Sequence, residues 1–201
     1  MDFFTRLASL NGVAEWANVV VTFLGILFAG LGVWWQLRKQ WLLHSAALMA
    51  SLDERFQSPE FRCQRANGAL RINEHVKEQK QLDLSDDLPV LGFFENVAYL
   101  VKRGALDKKM VWNKFGWYVV GYYLAITRWK NENGKNAIEQ YREQESDETN
   151  YEEFVWLYVE CLEIYRKSGA QVYNCCWQKK KIENLLKNEL VLCSHARKPG
   201  V

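Results

Sequence analysis

From Trp16 to Leu37 the chain carries no charged side chain, and the first charges beyond are Arg38 and Lys39. At about 1.5 Å per residue such a helix spans roughly 30 Å, the thickness of a bilayer core. Trp16 stands at one end and Trp34 and Trp35 at the other, where amphipathic rings favour the headgroup level. The run therefore reads as a transmembrane helix. A core helix of a soluble protein is usually shorter and keeps a polar stripe. A cleaved signal peptide needs a basic leader and a small-residue site, whereas Asp2 and Glu15 precede this run.

Flanking charge sets the orientation. Arg38, Lys39 and Arg55 follow the helix while only Arg6 precedes it, so the positive-inside bias places the N-terminus outside and the C-terminal bulk in the cytoplasm. The anchor is then that of an inner (cytoplasmic) membrane, crossed once. Five cysteines without framework spacing fit reduced thiols in that compartment. Within the run, Gly25, Ala29 and Gly32 recur at i, i+4 and i+7, a small-residue face that lets two membrane helices approach. A homo-oligomer is expected from it.

The rest of the chain reads as helices. Residues 1–15 are expected to form an interfacial segment using Phe3, Phe4, Leu7 and Leu10, broken at Asn11-Gly12. The membrane helix, 16–37, continues outward to about Phe56, and Ser58-Pro59 restarts a second helix to about Gln79. Asp86 or Asp87 is expected to cap a third, through Pro89, that ends at Lys102-Arg103-Gly104. Asp107 caps a fourth, in which Trp112, Phe115, Val119, Tyr122, Ile126 and Trp129 form a 3-4-3-4-3 seam. Trp117, Val120, Gly121 and Leu124 make its other faces apolar, so it should be contacted from several sides. A short helix around Ala137 to Gln144 and a capping box at Thr149 to Glu152, opening another helix, complete a domain over 38–169. Residues 170–201 read as an appended amphipathic tail, with Ile182, Leu185, Leu186 and Leu190 opposite Lys179, Lys180, Lys181 and Lys187. No stretch alternates with period two, so no sheet is expected.

The block Gly92 to Trp112, followed by Phe115-Gly116, carries a likeness in Phe94-Glu95, Gly104, Asp107, Trp112 and Gly116. Over Trp16 to Lys167 the chain resembles a family of small bacterial proteins with one N-terminal membrane helix and a cytoplasmic helical domain of unknown function. The resemblance implies an anchored helical domain and brings no catalytic residues with it. The tail from Ala170 departs from the pattern.

Signatures of catalysis are missing: no phosphate-binding loop, no dinucleotide fingerprint, no H-E-x-x-H and no G-x-S-x-G occurs. Cys175, Cys176, Cys193 and His195 are four soft ligands, but adjacent cysteines chelate one tetrahedral ion poorly and C-x2-C spacing is absent, so no metal is assigned. Glu95 shares a helix face with Leu91 and Ala98 and should be partly buried, with Arg62, Arg65 and Arg128 as candidate partners. An inter-helix ion pair is the simpler reading, and a ligand-binding or catalytic carboxylate the other. Lys179 to Lys181 beside Trp177 suit either an anionic lipid surface or plain solvent. A net charge of +2 gives no electrostatic case for nucleic acid.

The sequence thus leads to an all-α chain, a single N-terminal transmembrane helix followed by a cytoplasmic helical bundle. Its expected role is a non-enzymatic, self-associating interaction module without cofactor, its partners being the lipid bilayer and an unidentified protein. The alternative is a membrane effector of a bacterial defence or toxin system, whose oligomerised anchors perturb the bilayer when the helical domain senses a ligand. That analogy is architectural.

Overall fold

The computed structural model describes residues 2–78, 82, 84, 88–128, 130, 133–169 and 174–196, with side chains described for 16, 18–75 and, within the later ranges, up to 191. Among the described residues there are seven helices and no strand. These are α1 (Asp2–Gln57), α2 (Pro59–Glu78), α3 (Pro89–Lys102), α4 (Lys108–Thr127), α5 (Ala137–Glu145), α6 (Glu152–Lys167) and α7 (Cys175–Ala196). The chain divides into two compact units, Met1–Ser45 and Ala46–Val201.

The first unit is the greater part of α1. Asn11-Gly12 does not break it, because a lone interior glycine costs only about 1 kcal/mol against alanine and the helix continues on both sides. The expected side-chain pattern of 1–15 lies outside the described side chains. Every described side chain from 18 to 44 is exposed. The Thr22 hydroxyl donates to the Asn18 carbonyl at 2.8 Å, so this polar group is satisfied within its own helix. Among the described residues, one helix is long and apolar enough to cross a membrane by length and composition.

In the second unit, burial begins along α1 with Met49 and Phe56. Ser58 starts α2 as expected, its hydroxyl accepting from Phe61 N–H at 3.3 Å, with Pro59 where a missing N–H is harmless. α3 starts at Leu88, which offers no side-chain cap; Asp86 and Asp87 lie outside the described residues. Asp107 caps α4 by accepting from Met110 N–H at 2.9 Å. Phe115, Val119, Tyr122 and Ile126 are fully buried, and so are Val120 and Gly121 on the neighbouring face. α4 packs against α2, α3, α5, α6 and α7, which is why almost its whole circumference is apolar. Trp129 lies outside the described residues.

Aromatic rings fill the centre. Phe56 touches Phe93, Phe94, Phe115 and Tyr118 with centroids 4.8–5.8 Å away, and Phe94 stacks on Phe154 at 6.1 Å. Two glycines permit close approaches here. A Cβ on Gly116 would lie 2.3 Å from the Trp112 ring folded back over it, and one on Gly121 would lie 3.0 Å from Leu185 of α7. That second contact belongs to a helix that reads from sequence as a tail. α7 is instead part of this unit: it packs along α2 and α4 and buries Ile182, Leu185 and Leu186.

Candidate functional site

None of the three arginines expected beside Glu95 is placed there, although the charge of a fourth, Arg142, acts on it. The Glu95 carboxylate reaches from α3 to the start of α6, accepting from the backbone N–H groups of Glu153 at 3.2 Å and Phe154 at 2.6 Å. The capping box expected at Thr149 to Glu152 does not form this cap: Tyr151 precedes α6 in a left-handed conformation, φ 60°, and its side chain does not cap the helix. A helix start leaves several N–H groups unpaired, and a carboxylate suits both their geometry and the local dipole. Burial raises the Glu95 pKa above the ordinary value, while these two N–H donors pull against that rise. Glu95 is thus a cap supplied by another helix.

The three arginines proposed for Glu95 lie elsewhere. Arg62 donates to Gln57 Oε1 at 3.0 Å, and Arg128 is an exposed residue at the end of α4. Arg65 is buried. It sits on the inward face of α2 with Phe61, Ala69 and Ile72, so its guanidinium needs a partner inside the domain. Nε donates to Glu189 Oε2 of α7 at 3.2 Å, and Nη1 donates to the Phe56 carbonyl at 3.1 Å. The guanidinium lies 3.8 Å over the Phe56 ring and 5.3 Å from that of Tyr118.

Three buried polar atoms of this group have no hydrogen-bond partner: Arg65 Nη2, Glu189 Oε1 and the Tyr122 hydroxyl. Burial raises the Glu189 pKa, and Arg65 together with the nearby Tyr122 hydroxyl opposes that rise. Burial likewise holds the Tyr122 proton well above the ordinary tyrosine range.

A second cation is buried at the same interface. Lys181 does not lie with Lys179 and Lys180 on a solvated or lipid-facing side, since it is only 8% exposed. Its ammonium lies 4.9–5.9 Å from the rings of Tyr165, Trp117 and Trp177 and donates to the Tyr165 hydroxyl at 3.0 Å. Burial in this aromatic box brings its pKa down to about 8. Cys161 is also buried, and desolvation pushes its thiol up to about 12, which makes it an inert apolar group.

The four soft ligands weighed for zinc cannot meet on one ion within this chain. Cys175 and Cys176 open α7 and are exposed, whereas Cys193 and His195 belong to the far end of the same helix. The seventeen residues from Cys176 to Cys193 correspond to about 26 Å of helix rise, against zinc–ligand bonds of about 2 Å. Among the described residues no cluster of three or more histidine, cysteine or acidic side chains stands ready for a metal. A shallow groove of about 180 Å³ lies between Gln64, Asn67, Gly68 and Arg71 of α2 and Leu88 and Pro89 of α3. It is smaller than the cavities of about 300–1,000 Å³ that enclose small-molecule ligands.

Sequence reasoning named Arg65 but not its partner, 124 residues away, and missed the box around Lys181. A signal for both was present. Lys181 and Glu189 fall on the same helical stripe as Ile182, Leu185 and Leu186, where a charge must be buried and therefore paired or ringed by aromatics.

Geometry of this kind defines an all-helical domain, joined through α1 to a long exposed apolar helix, whose buried charges hold helices to one another. The chain belongs to the DUF4760 family, a domain of unknown function, which it matches over residues 19–161. The match takes in the apolar part of α1 and most of the domain and ends at Cys161, before α7. No curated protein and no solved structure matches the chain.

Proposed function

We propose that the protein is a membrane-anchored, self-associating helical interaction module, non-enzymatic, with residues 46–196 on the cytoplasmic side of an inner membrane. The observation that carries this reading is the uninterrupted exposure of α1 from 18 to 44, almost entirely apolar up to Leu37. Exposed apolar surface of that extent marks a lipid- or protein-contacting region. Gly25 and Gly32 leave open space where a Cβ would stand, which suits a second copy packed against the small-residue face that they share with Ala29. The domain's buried charges support the same reading, because each is engaged with neighbouring helices. Anchoring would confine the domain to a surface and raise its effective concentration for a partner there.

The test uses the full chain in membranes. It should sediment with them in the absence of detergent, and energy transfer between labelled copies should fall when Gly25 and Gly32 are both replaced by leucine. A chain left in the supernatant refutes the anchor, and unchanged transfer refutes association through this face. If induction of the full chain depolarised cells, the effector role would replace that of an interaction module.

A further inference from the structure

The exposed apolar surface of α1 does not end with the uncharged run at Leu37. Trp41, Leu42 and Leu43 are 42%, 54% and 70% exposed, and the first buried side chain among the described residues is Ser45. Arg38 and Lys39 therefore interrupt an apolar helix rather than end it. Neither meets a carboxylate among the described residues, and the sequence holds no acidic residue between Glu15 and Asp53. Both side chains fold back along the helix onto rings one turn earlier. The Arg38 guanidinium lies 5.5 Å from the Trp34 ring and the Lys39 ammonium 4.4 Å from the Trp35 ring.

Lengths agree with this arrangement. Trp16 to Leu43 is about 40 Å of helix, matching a bilayer with both headgroup layers at about 40–45 Å. Trp34 to Trp41 is about 10 Å, close to the depth over which amphipathic helices occupy the headgroup boundary. Three tryptophans and two unpaired cations then share one layer, where rings prefer the interface and cations meet lipid phosphates.

Resting on the membrane reading above, we infer that Trp34–Leu43 is a headgroup-layer segment in which Arg38 and Lys39 bind the phosphates of anionic lipids, so that lipid contact ends at Leu43 rather than Leu37. Leu42 and Leu43 then lie about one turn beyond the cations, in the outer part of the same headgroup layer. Zwitterionic lipid supplies phosphate without net charge and is the weaker ligand for this pair.

The full chain is reconstituted in nanodiscs of phosphatidylcholine alone or with phosphatidylglycerol, with an environment-sensitive fluorescent amino acid encoded in turn at Phe28, Leu43 and Ser51. Bromines deep in the acyl chain should quench the probe at 28, shallow bromines should quench the probe at 43, and neither should quench the probe at 51. Emission at 43 should shift to the blue when phosphatidylglycerol is added, and the Arg38→Gln, Lys39→Gln double variant should lose that shift while quenching at 28 is kept. A probe at 43 no more quenched than the one at 51, with 28 still quenched, overturns the inference and leaves the anchor standing. A blue shift that survives the double variant overturns the role of the cations. An unquenched probe at 28 refutes the anchor itself.

Discussion

Lys181 gives the domain an unusual dependence on pH. Its aromatic box leaves the buried amine with a pKa of about 8 against 10.5 for the exposed group, a difference worth about 3 kcal/mol when fully expressed. Because the folded value is the lower one, the unfolded chain binds more protons between pH 8 and 10.5, and stability must rise with pH across that window. Two neighbours narrow the clean part of it. Cys161 and Tyr165 are both raised to about 12, from 9 and 10, so each takes stability away as pH climbs past its ordinary value. From pH 8 to 9, a single site with these two values gains about 1 kcal/mol. Lys181→Met keeps a flexible apolar side chain in the box and removes the titration. Urea unfolding of both proteins under reducing conditions at pH 7, 8 and 9, followed by tryptophan emission, gives the comparison. The wild type should gain about 1 kcal/mol on the variant between pH 8 and 9, or about 2–4 °C in melting temperature. The thiol and tyrosine contributions largely cancel in the difference. A difference flat with pH would show that the amine is solvated and the aromatic box is not formed.

Glu95→Ala should cost about 2–3 kcal/mol and speed amide exchange at Glu153 and Phe154, while Glu95→Gln, which keeps an acceptor, should cost about 1 kcal/mol; equal, negligible losses would refute the cap. Glu189→Leu alone should destabilise by about 3–5 kcal/mol because it strands the Arg65 charge, whereas Arg65→Met with Glu189→Leu should recover most of that loss in chemical denaturation. Burial lowers the His75 pKa from 6.5 and leaves both ring nitrogens without a hydrogen bond, so the folded state resists protonation and stability should fall as pH drops below 6.5. His75→Leu should flatten that acid limb in melts from pH 7 to 5.

Periodicity made most of the helices legible. The α4 seam, the Ser58-Pro59 restart and the Asp107 cap follow from side-chain spacing and local hydrogen bonding, which act within a few residues. Tertiary capping was not legible. Nothing local to Thr149–Glu152 announces that the N–H groups of Glu153 and Phe154 just after it are met by a carboxylate more than fifty residues earlier, and the S/T-x-x-E pattern points to a cap within the segment itself. Glu95 lies at the half-buried position that its helix face implies, but its donors are backbone N–H groups rather than one of the expected arginines. In α7 the lysine run obscures the apolar stripe at the level of sequence. One of those lysines, Lys181, lies on the stripe and is buried with it.

The placement of two charges at the α7 interface bears on why α7 seats in one register. Ile182, Leu185 and Leu186 alone would tolerate a slip of one turn, since another branched apolar residue follows at Leu190. Arg65 would not. A slip of four residues in one direction would bring Leu185 toward the guanidinium, and in the other Cys193, leaving the charge buried without its carboxylate. The same slips would offer the aromatic box Trp177 or Leu185 in place of the Lys181 cation. Burial of these groups is costly for stability, as the raised Glu189 and lowered Lys181 values both indicate. Their gain is specificity: the apolar stripe supplies the attraction, and the two charges make every neighbouring register expensive by comparison. On this argument the Arg65→Met, Glu189→Leu domain remains folded with Lys181 alone to fix the seating of α7, and adding Lys181→Met should abolish that single seating.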